Sequence, residues 1–189
     1  MDAYCIRYSH RSRYRGSIAS RGRGSSNRRV VNYPLYMDSR CQGVNKVTHF
    51  KTHELVCSHV YRKYGDKALM FADPRLLMWM DWFRDAVGLP VIVNTYGTGG
   101  KYTQRGYRCN MCQLVREKTV NNVMYLSAHT RFQAIDFNVQ DMYDEEIRQW
   151  IERHKNEMPC NIRIERGTTG WVHVDVSTDN YQKITYFEG

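Results

Sequence analysis

The stretch SAHTRFQAIDFNV, residues 127–139, ends in a strict alternation of apolar and polar side chains. Successive side chains of an extended chain point to opposite faces, so Ile135, Phe137 and Val139 share one face. Asp136 falls on the other face. The pattern predicts a β-strand that lays one face on a core and presents a carboxylate on the opposite face.

A second alternation, WVHVDVS, occupies residues 171–177. Its three valines point to one face, and His173 and Asp175 point to the other. The two alternations therefore predict a sheet in which polar groups of separate strands meet on the face away from the core.

Helical patterns come earlier in the chain than most strand patterns. Apolar spacing predicts helices at 52–64, 74–87 and 141–156. The second helix has Asp73 as its cap, Pro74 in its first turn and Gly88 at its end. Further strands are expected at 90–93, 162–165 and 181–187, the last beside 171–177, and residues 95–123 are expected to be mainly loop. This order favours an α+β domain, an antiparallel sheet with flanking helices.

Length and charge divide the chain into two parts. Residues 46–189 are long enough for one domain with its own core, and residues 1–45 are expected to be an Arg-rich basic tail and connector. Residues 1–31 hold eight arginines and one acid, which leaves 20 basic against 18 acidic side chains elsewhere. The net charge of +9 is therefore mainly a property of the tail.

The tail could bind one of three kinds of polyanion, or it could have no partner. Its arginines alternate with Tyr4, Tyr8 and Tyr14, a mixture that suits phosphate contacts and stacking on nucleic-acid bases. The same charge would also bind anionic wall polymers or lipid headgroups. A flexible segment without a partner is the simplest alternative, because such a composition buries little apolar surface.

Two histidines and an aspartate stand out as possible metal ligands. His129 lies just before the first strand, Asp136 lies on it, and His173 lies on the second. Three such ligands can hold zinc and leave a fourth position for water, the arrangement of a catalytic rather than a structural zinc site. From spacing alone, the same residues could be ordinary surface or core-edge groups.

The combination of motifs resembles the zinc peptidases that include D-alanyl-D-alanine carboxypeptidases and phage endolysin peptidases, to which the amino-terminal signalling domain of hedgehog is related. Their signature is Ser-x-His-x-x-Gly-x-Ala-x-Asp, followed after a gap by Trp/Phe-x-His. Matching residues here are Ser127, His129, Ala134, Asp136, Trp171, His173 and Asp175. Segments 49–57, 75–87, 89–93 and 106–108 resemble other parts of the family in the same order.

The resemblance implies one zinc ion held by His129, Asp136 and His173, and it suggests roles for the residues around it. Glu165 resembles the catalytic base of some relatives; Asp175 is the alternative base, or a group that orients an imidazole. Arg108 resembles an arginine that binds a substrate carboxylate or the developing oxyanion. Ser127 is expected to hydrogen-bond near the site, and Trp171 to form a wall of the cleft or to pack.

Three departures from the family pattern bear on substrate choice. Phe132 stands at the position of the family's glycine, and Ser177 replaces an arginine that often follows the second motif. The loop at 95–123 is also longer than usual.

The six cysteines are scattered, and we expect reduced thiols because the N-terminus carries no pattern of a secretory signal. Cys109 and Cys112 form a Cys-x-x-Cys pair. A structural zinc there would need two further ligands, such as Cys57 or His53, and the sequence does not identify them. A plain pair of loop thiols is the simpler expectation.

Three functions are compatible with these features. The first is a zinc peptidase that cuts peptide stems of bacterial peptidoglycan, as a carboxypeptidase or an L-Ala-D-Glu endopeptidase of the phage lytic type. The second is an inactive zinc-binding domain in a binding or virion structural protein. The third is nucleic-acid binding through the tail. No apolar run is long enough to span a membrane; we expect synthesis in the host cytoplasm and action at the cell wall, or carriage in a virion.

Overall fold

A computed structural model describes Val47, residues 49–178 and residues 181–189. The Arg-rich tail and most of the predicted connector lie outside these residues. Among the described residues, no helix is long and apolar enough to cross a membrane.

Within the described residues, five helices and five strands make up an α+β domain. The helices are α1 Thr52–Leu55, α2 Ser58–Tyr64, α3 Pro74–Val87, α4 Gln113–Val120 and α5 Asp144–Arg153. The strands are β1 Val91–Ile92, β2 Ala134–Val139, β3 Ile162–Arg166, β4 Val172–Asp175 and β5 Ile184–Glu188. Short 3₁₀ helices lie at Gly65–Phe71, Tyr96–Thr98 and Ala128–Arg131.

The strands form one mixed sheet in the order β1-β2-β4-β3-β5. The pairs β1–β2, β2–β4 and β3–β4 are antiparallel, whereas β3 and β5 are parallel. The prediction of an all-antiparallel sheet was therefore wrong for the last strand. Strand β4 has β2 on one edge and β3 on the other, so it has no free edge for β5 to join.

Helix α3 packs the centre of the core, and its predicted boundaries are confirmed. The Asp73 carboxylate accepts a hydrogen bond from the Arg75 amide at 3.0 Å, and Gly88 ends the helix in the left-handed conformation. The buried ring of Phe83 lies 5.0 Å from the ring of Trp79 and 5.2 Å from that of Phe137 on β2. These contacts pack α3 against the apolar face of the sheet, opposite to the face that carries Asp136.

The predicted helix at 52–64 is broken into α1 and α2. Val56 has an extended backbone and forms a parallel bridge with Tyr107. The Cys57 amide donates to the Tyr107 carbonyl at 3.0 Å, and the Tyr107 amide donates to the Leu55 carbonyl at 2.9 Å. The interrupted backbone thus binds the long loop. No local pattern in residues 52–64 predicts this interruption.

The loop at 95–123 contains a helix that the sequence pattern missed. Helix α4 has no buried residue, so it lacks the apolar stripe by which a helix is recognised in a sequence. Gly106, in the same loop, lies so close to α1 that a Cβ atom would come within 1.9 Å of the Leu55 carbonyl oxygen. Only glycine fits that position.

Phe132 has a backbone conformation that glycine adopts more readily than other residues. Its φ is 54°, in the left-handed region that costs a residue with a side chain about 1 kcal/mol or more. The ring is 1% exposed and stacks on Tyr107 with centroids 5.1 Å apart. Burial and stacking of the ring offset the backbone strain.

Two substitutions at Phe132 separate these effects. Phe132→Ala should lower the free energy of unfolding by about 3–5 kcal/mol, because it removes the buried ring and keeps the strain. Phe132→Gly removes the same ring but relieves the strain, so it should be at least as stable as the alanine variant. Urea unfolding of both variants measures the difference; a glycine variant clearly less stable than the alanine variant would contradict this account.

Candidate metal centre

Strand pairing brings the three predicted ligands together. Asp136 on β2 and His173 on β4 are directly opposite each other in the antiparallel register. The short helix Ala128–Arg131 carries His129 to the same point. His129 Nε2 lies 3.2 Å from His173 Nδ1, and Asp136 Oδ1 lies 3.2 Å from the first nitrogen and 2.8 Å from the second. All three side chains are buried.

The two imidazoles are oriented through their remaining nitrogens. His129 Nδ1 lies 2.9 Å from the Gly106 carbonyl oxygen, which can only accept a hydrogen bond. His173 Nε2 lies 3.2 Å from Asp175 Oδ2. Each acceptor holds a proton on the outer nitrogen, so the inner nitrogen of each ring can present its lone pair to the shared point.

Asp175 is surrounded by donors from the protein itself. Its side chain is fully buried and accepts two hydrogen bonds from the Arg163 guanidinium, both at 2.9 Å. The Ser177 amide donates a third at 2.8 Å, beside the contact with His173. This environment suits a carboxylate that orients the His173 ring.

Arg108 is bonded to Asp136. Its Nη2 lies 2.6 Å from Asp136 Oδ2, its Nη1 donates to the Tyr125 hydroxyl at 3.1 Å, and its Nε donates to the Gln104 carbonyl. The guanidinium thus fixes the carboxylate oxygen that faces away from the two histidines.

The electrostatics of the site favour a positive charge among the three ligands. Burial lowers the pKa of His129. Burial also acts to lower the pKa of His173, but hydrogen bonds with Asp136 and Asp175 outweigh it and raise that pKa to about 9. Burial alone would raise the pKa of Asp136; contacts with His129 and His173 instead hold it well below its usual range. A proton or a metal ion can supply that charge.

Glu165 and Trp171 line the cleft that opens over the ligands. The cleft has a volume of about 500 Å³. Glu165 Oε2 lies 4.0 Å from His173 Nδ1, so this carboxylate is beside the ligands without being one of them. The Trp171 side chain is 38% exposed at the rim.

Ser127 caps the short helix that carries His129. Its Oγ accepts a hydrogen bond from the His129 amide at 3.3 Å, as an N-cap residue does. The structure therefore gives Ser127 a local role in placing His129, consistent with the predicted hydrogen bond near the site.

A second group of side chains has the geometry to hold a metal ion. It consists of Cys57, His59, Cys109 and Cys112, whose ligand atoms all lie within 4.8 Å of one another. Cys57 and His59 lie at the start of α2, and Cys112 immediately precedes α4. We call these four residues the Cys3His cluster.

The sequence indicated Cys109 and Cys112, with Cys57 or His53, only as possible metal ligands and favoured a plain pair of loop thiols; it did not indicate His59. His53, the histidine considered there, packs its ring against Tyr61 and Tyr96. His59 is the histidine of the cluster, because the helix is interrupted at Val56 and α2 starts in a direction that brings Cys57 and His59 to Cys112. The spacing Cys57-x-His59 was only a weak signal, because it is shorter than the spacing that separates paired ligands in typical zinc sites.

Comparison of the chain with protein-family models, with curated proteins and with solved structures returned no match. The His129, Asp136 and His173 group offers three ligand atoms that could hold a metal ion beside the cleft.

Proposed function

We propose that the chain is a zinc-dependent peptidase that hydrolyses peptide stems of bacterial peptidoglycan. The observation that carries the proposal is the convergence of two imidazole nitrogens and one carboxylate oxygen at 2.8–3.2 Å beside a cleft. Nitrogen and oxygen ligands bind zinc at about 2.0–2.2 Å, which separates them by about 3.4 Å in a tetrahedral site. The donor set therefore fits zinc with a small outward movement.

The outer contacts support a metal site rather than an ordinary polar cluster. Both histidines are held in the tautomer that frees the inner nitrogen, one by the Gly106 carbonyl and one by Asp175. Arg108 holds the other oxygen of Asp136. Such partners are a regular feature of zinc sites, where they orient the ligands.

A zinc ion held by His129, Asp136 and His173 would supply a water of lowered pKa and would polarise a scissile carbonyl. In this proposal Glu165, whose Oε2 lies 4.0 Å from His173 Nδ1, accepts a proton from the attacking water and donates it to the leaving amine. Asp175 instead orients His173, since its oxygens are occupied by protein donors. Arg108 is a positioning residue for Asp136.

The substrate class comes from the resemblance and agrees with the form of the cleft. An open cleft with a partly exposed tryptophan at its rim can admit an extended peptide. Within this class, D-Ala–D-Ala and L-Ala–D-Glu bonds are the two candidates. We propose a phage-type lytic enzyme, made in the host cytoplasm and acting at the cell wall or carried in a virion.

Digestion of purified peptidoglycan tests the substrate class. The protein should release fragments whose masses identify the bond: loss of a terminal alanine for a carboxypeptidase, or release of the stem for an endopeptidase. A protein that binds zinc and leaves all stem peptides uncut would contradict the proposal and favour the inactive, binding-only domain.

Deletion of residues 1–31 tests whether the basic tail is needed for chemistry. The rate on soluble peptidoglycan fragments should stay within about twofold of the full chain, because the ligands and Glu165 all lie in the domain. Binding to polyanions should weaken and lose its steep dependence on salt, since eight arginines are removed. Cosedimentation with insoluble wall and with DNA measures the second effect. Loss of cleavage of soluble fragments would contradict this division of roles.

A further inference from the structure

We infer that the Cys3His cluster is a second, structural zinc site, separate from the His129, Asp136 and His173 site. Cys57 Sγ lies 3.6 Å from Cys109 Sγ, and Cys109 Sγ lies 4.0 Å from Cys112 Sγ. Cys112 Sγ lies 3.8 Å from His59 Nδ1. Four ligand atoms thus surround one point.

These separations are those of a tetrahedral zinc site. Zinc–sulfur bonds of about 2.3 Å place two sulfurs about 3.8 Å apart, and a zinc–nitrogen bond of about 2.0 Å places nitrogen about 3.5 Å from sulfur. Three sulfurs and one nitrogen select zinc over hard cations such as calcium or magnesium, which prefer oxygen. Because four protein ligands close the coordination sphere, no position is left for a substrate, and the site is structural.

A disulfide explains the arrangement less well. A disulfide joins two sulfurs at about 2.04 Å, and it would not account for the third thiol and the imidazole in the same group. All three cysteines are free thiols here. Cys57 and Cys112 are each only 1% exposed, and His59 and Cys109 are half-buried.

The metal would secure a part of the chain that has little core of its own. Helix α4 has no buried residue, yet Cys112 at its start is buried in the cluster. On the other side, the cluster joins the start of α2 to the loop through Cys57 and Cys109. Zinc binding can supply the free energy that apolar burial does not supply in this loop.

The same loop segment supports the candidate metal centre. Gly106 accepts from His129, and Arg108, one residue before Cys109, holds Asp136. The Arg108 amide also donates to the His129 carbonyl at 3.1 Å. The Cys3His zinc thus anchors a segment that orients two ligands of the other site.

The test is the metal content and the sulfur coordination of the full chain. Protein purified under reducing conditions should hold about two zinc ions, and Cys112→Ser should hold about one. X-ray absorption of the wild type should show sulfur at about 2.3 Å from zinc. That signal should remain in His129→Ala, which loses only the other ion. This readout does not depend on peptidase activity.

Matched variants keep the test decisive. Cys160→Ser, outside the cluster, and Cys5→Ser with Cys41→Ser should each retain both ions. His59→Ala should weaken zinc binding by the cluster, and His53→Ala, its control, should not. If Cys112→Ser does not fold, His59→Cys should retain zinc with four sulfur ligands. Zinc without sulfur neighbours in the wild type, or a Cys109–Cys112 disulfide in protein kept reduced, would overturn the inference.

Discussion

Replacing His129 with alanine should remove the metal from the candidate centre and lower the rate of peptide hydrolysis by at least about 10³-fold. A metal contributes several kcal/mol to the stabilisation of charge in such transition states, and each 1.36 kcal/mol is tenfold in rate. The variant leaves two ligands, Asp136 and His173, which cannot hold zinc with the affinity of three. Zinc content and the rate on soluble fragments are the two measurements.

The control for this substitution is His49→Ala. His49 contacts Asp85 at the surface and belongs to neither group. It should retain metal and activity. Circular dichroism and thermal unfolding of His129→Ala distinguish loss of metal from loss of fold, and the sulfur-bound zinc should stay. Full hydrolysis by a folded His129→Ala protein would show that this group is not the catalytic site.

Replacing Glu165 with glutamine should lower kcat by about 10²–10⁴-fold, the contribution expected of a general base. Glutamine has nearly the same shape but cannot accept the proton from the attacking water. Because Glu165 is not a ligand and lies 4.0 Å from His173 Nδ1, zinc content should not change. A large loss of rate at full zinc occupancy is the signature that separates a base from a ligand.

Glu157→Gln is the matched control, since Glu157 is exposed and lies away from the cleft. Its rate should equal that of the wild type. If Glu165→Gln keeps full activity while His129→Ala is inactive, the base is another group, and Asp175 becomes the next to test. Near-equal rates for Glu165→Gln and Glu157→Gln would remove Glu165 from the mechanism.

The grouping of these residues was predictable in part because two of the three, Asp136 and His173, lie on strands with strict alternation. The alternation in 133–139 and 171–177 put Asp136 and His173 on polar faces, and the core valines and Phe137 allow no other register. A shift of one residue would turn these polar side chains into the apolar core and turn the core side chains away from it. Local sequence therefore determined the position of two ligands in space.

The contacts made by the long loop were not predictable in the same way. The resemblance suggested that Arg108 contacts substrate, and this stays a prediction; its contact with Asp136, across 28 positions of the chain, was not predicted. His59 joined the Cys3His cluster through a break in a helix that the apolar pattern described as continuous. Both depend on the pairing of Val56 with Tyr107, which is a long-range contact without a local periodicity.

The pairing partner of the last strand could not be predicted from its sequence alone. Its apolar pattern indicated a strand, and Ile184–Glu188 is one. Its partner is β3 in parallel rather than β4, because both edges of β4 were already paired. Which edge stays free depends on the order of the whole sheet, and a single strand does not carry that information.

The most direct test of the central claim is a zinc titration of metal-free protein, with hydrolysis of soluble peptidoglycan fragments followed at each addition. The account predicts no hydrolysis by the metal-free chain, recovery in proportion to the zinc bound at His129, Asp136 and His173, and no recovery in His129→Ala. Hydrolysis by the metal-free protein, or none after both groups are filled with zinc, would contradict it.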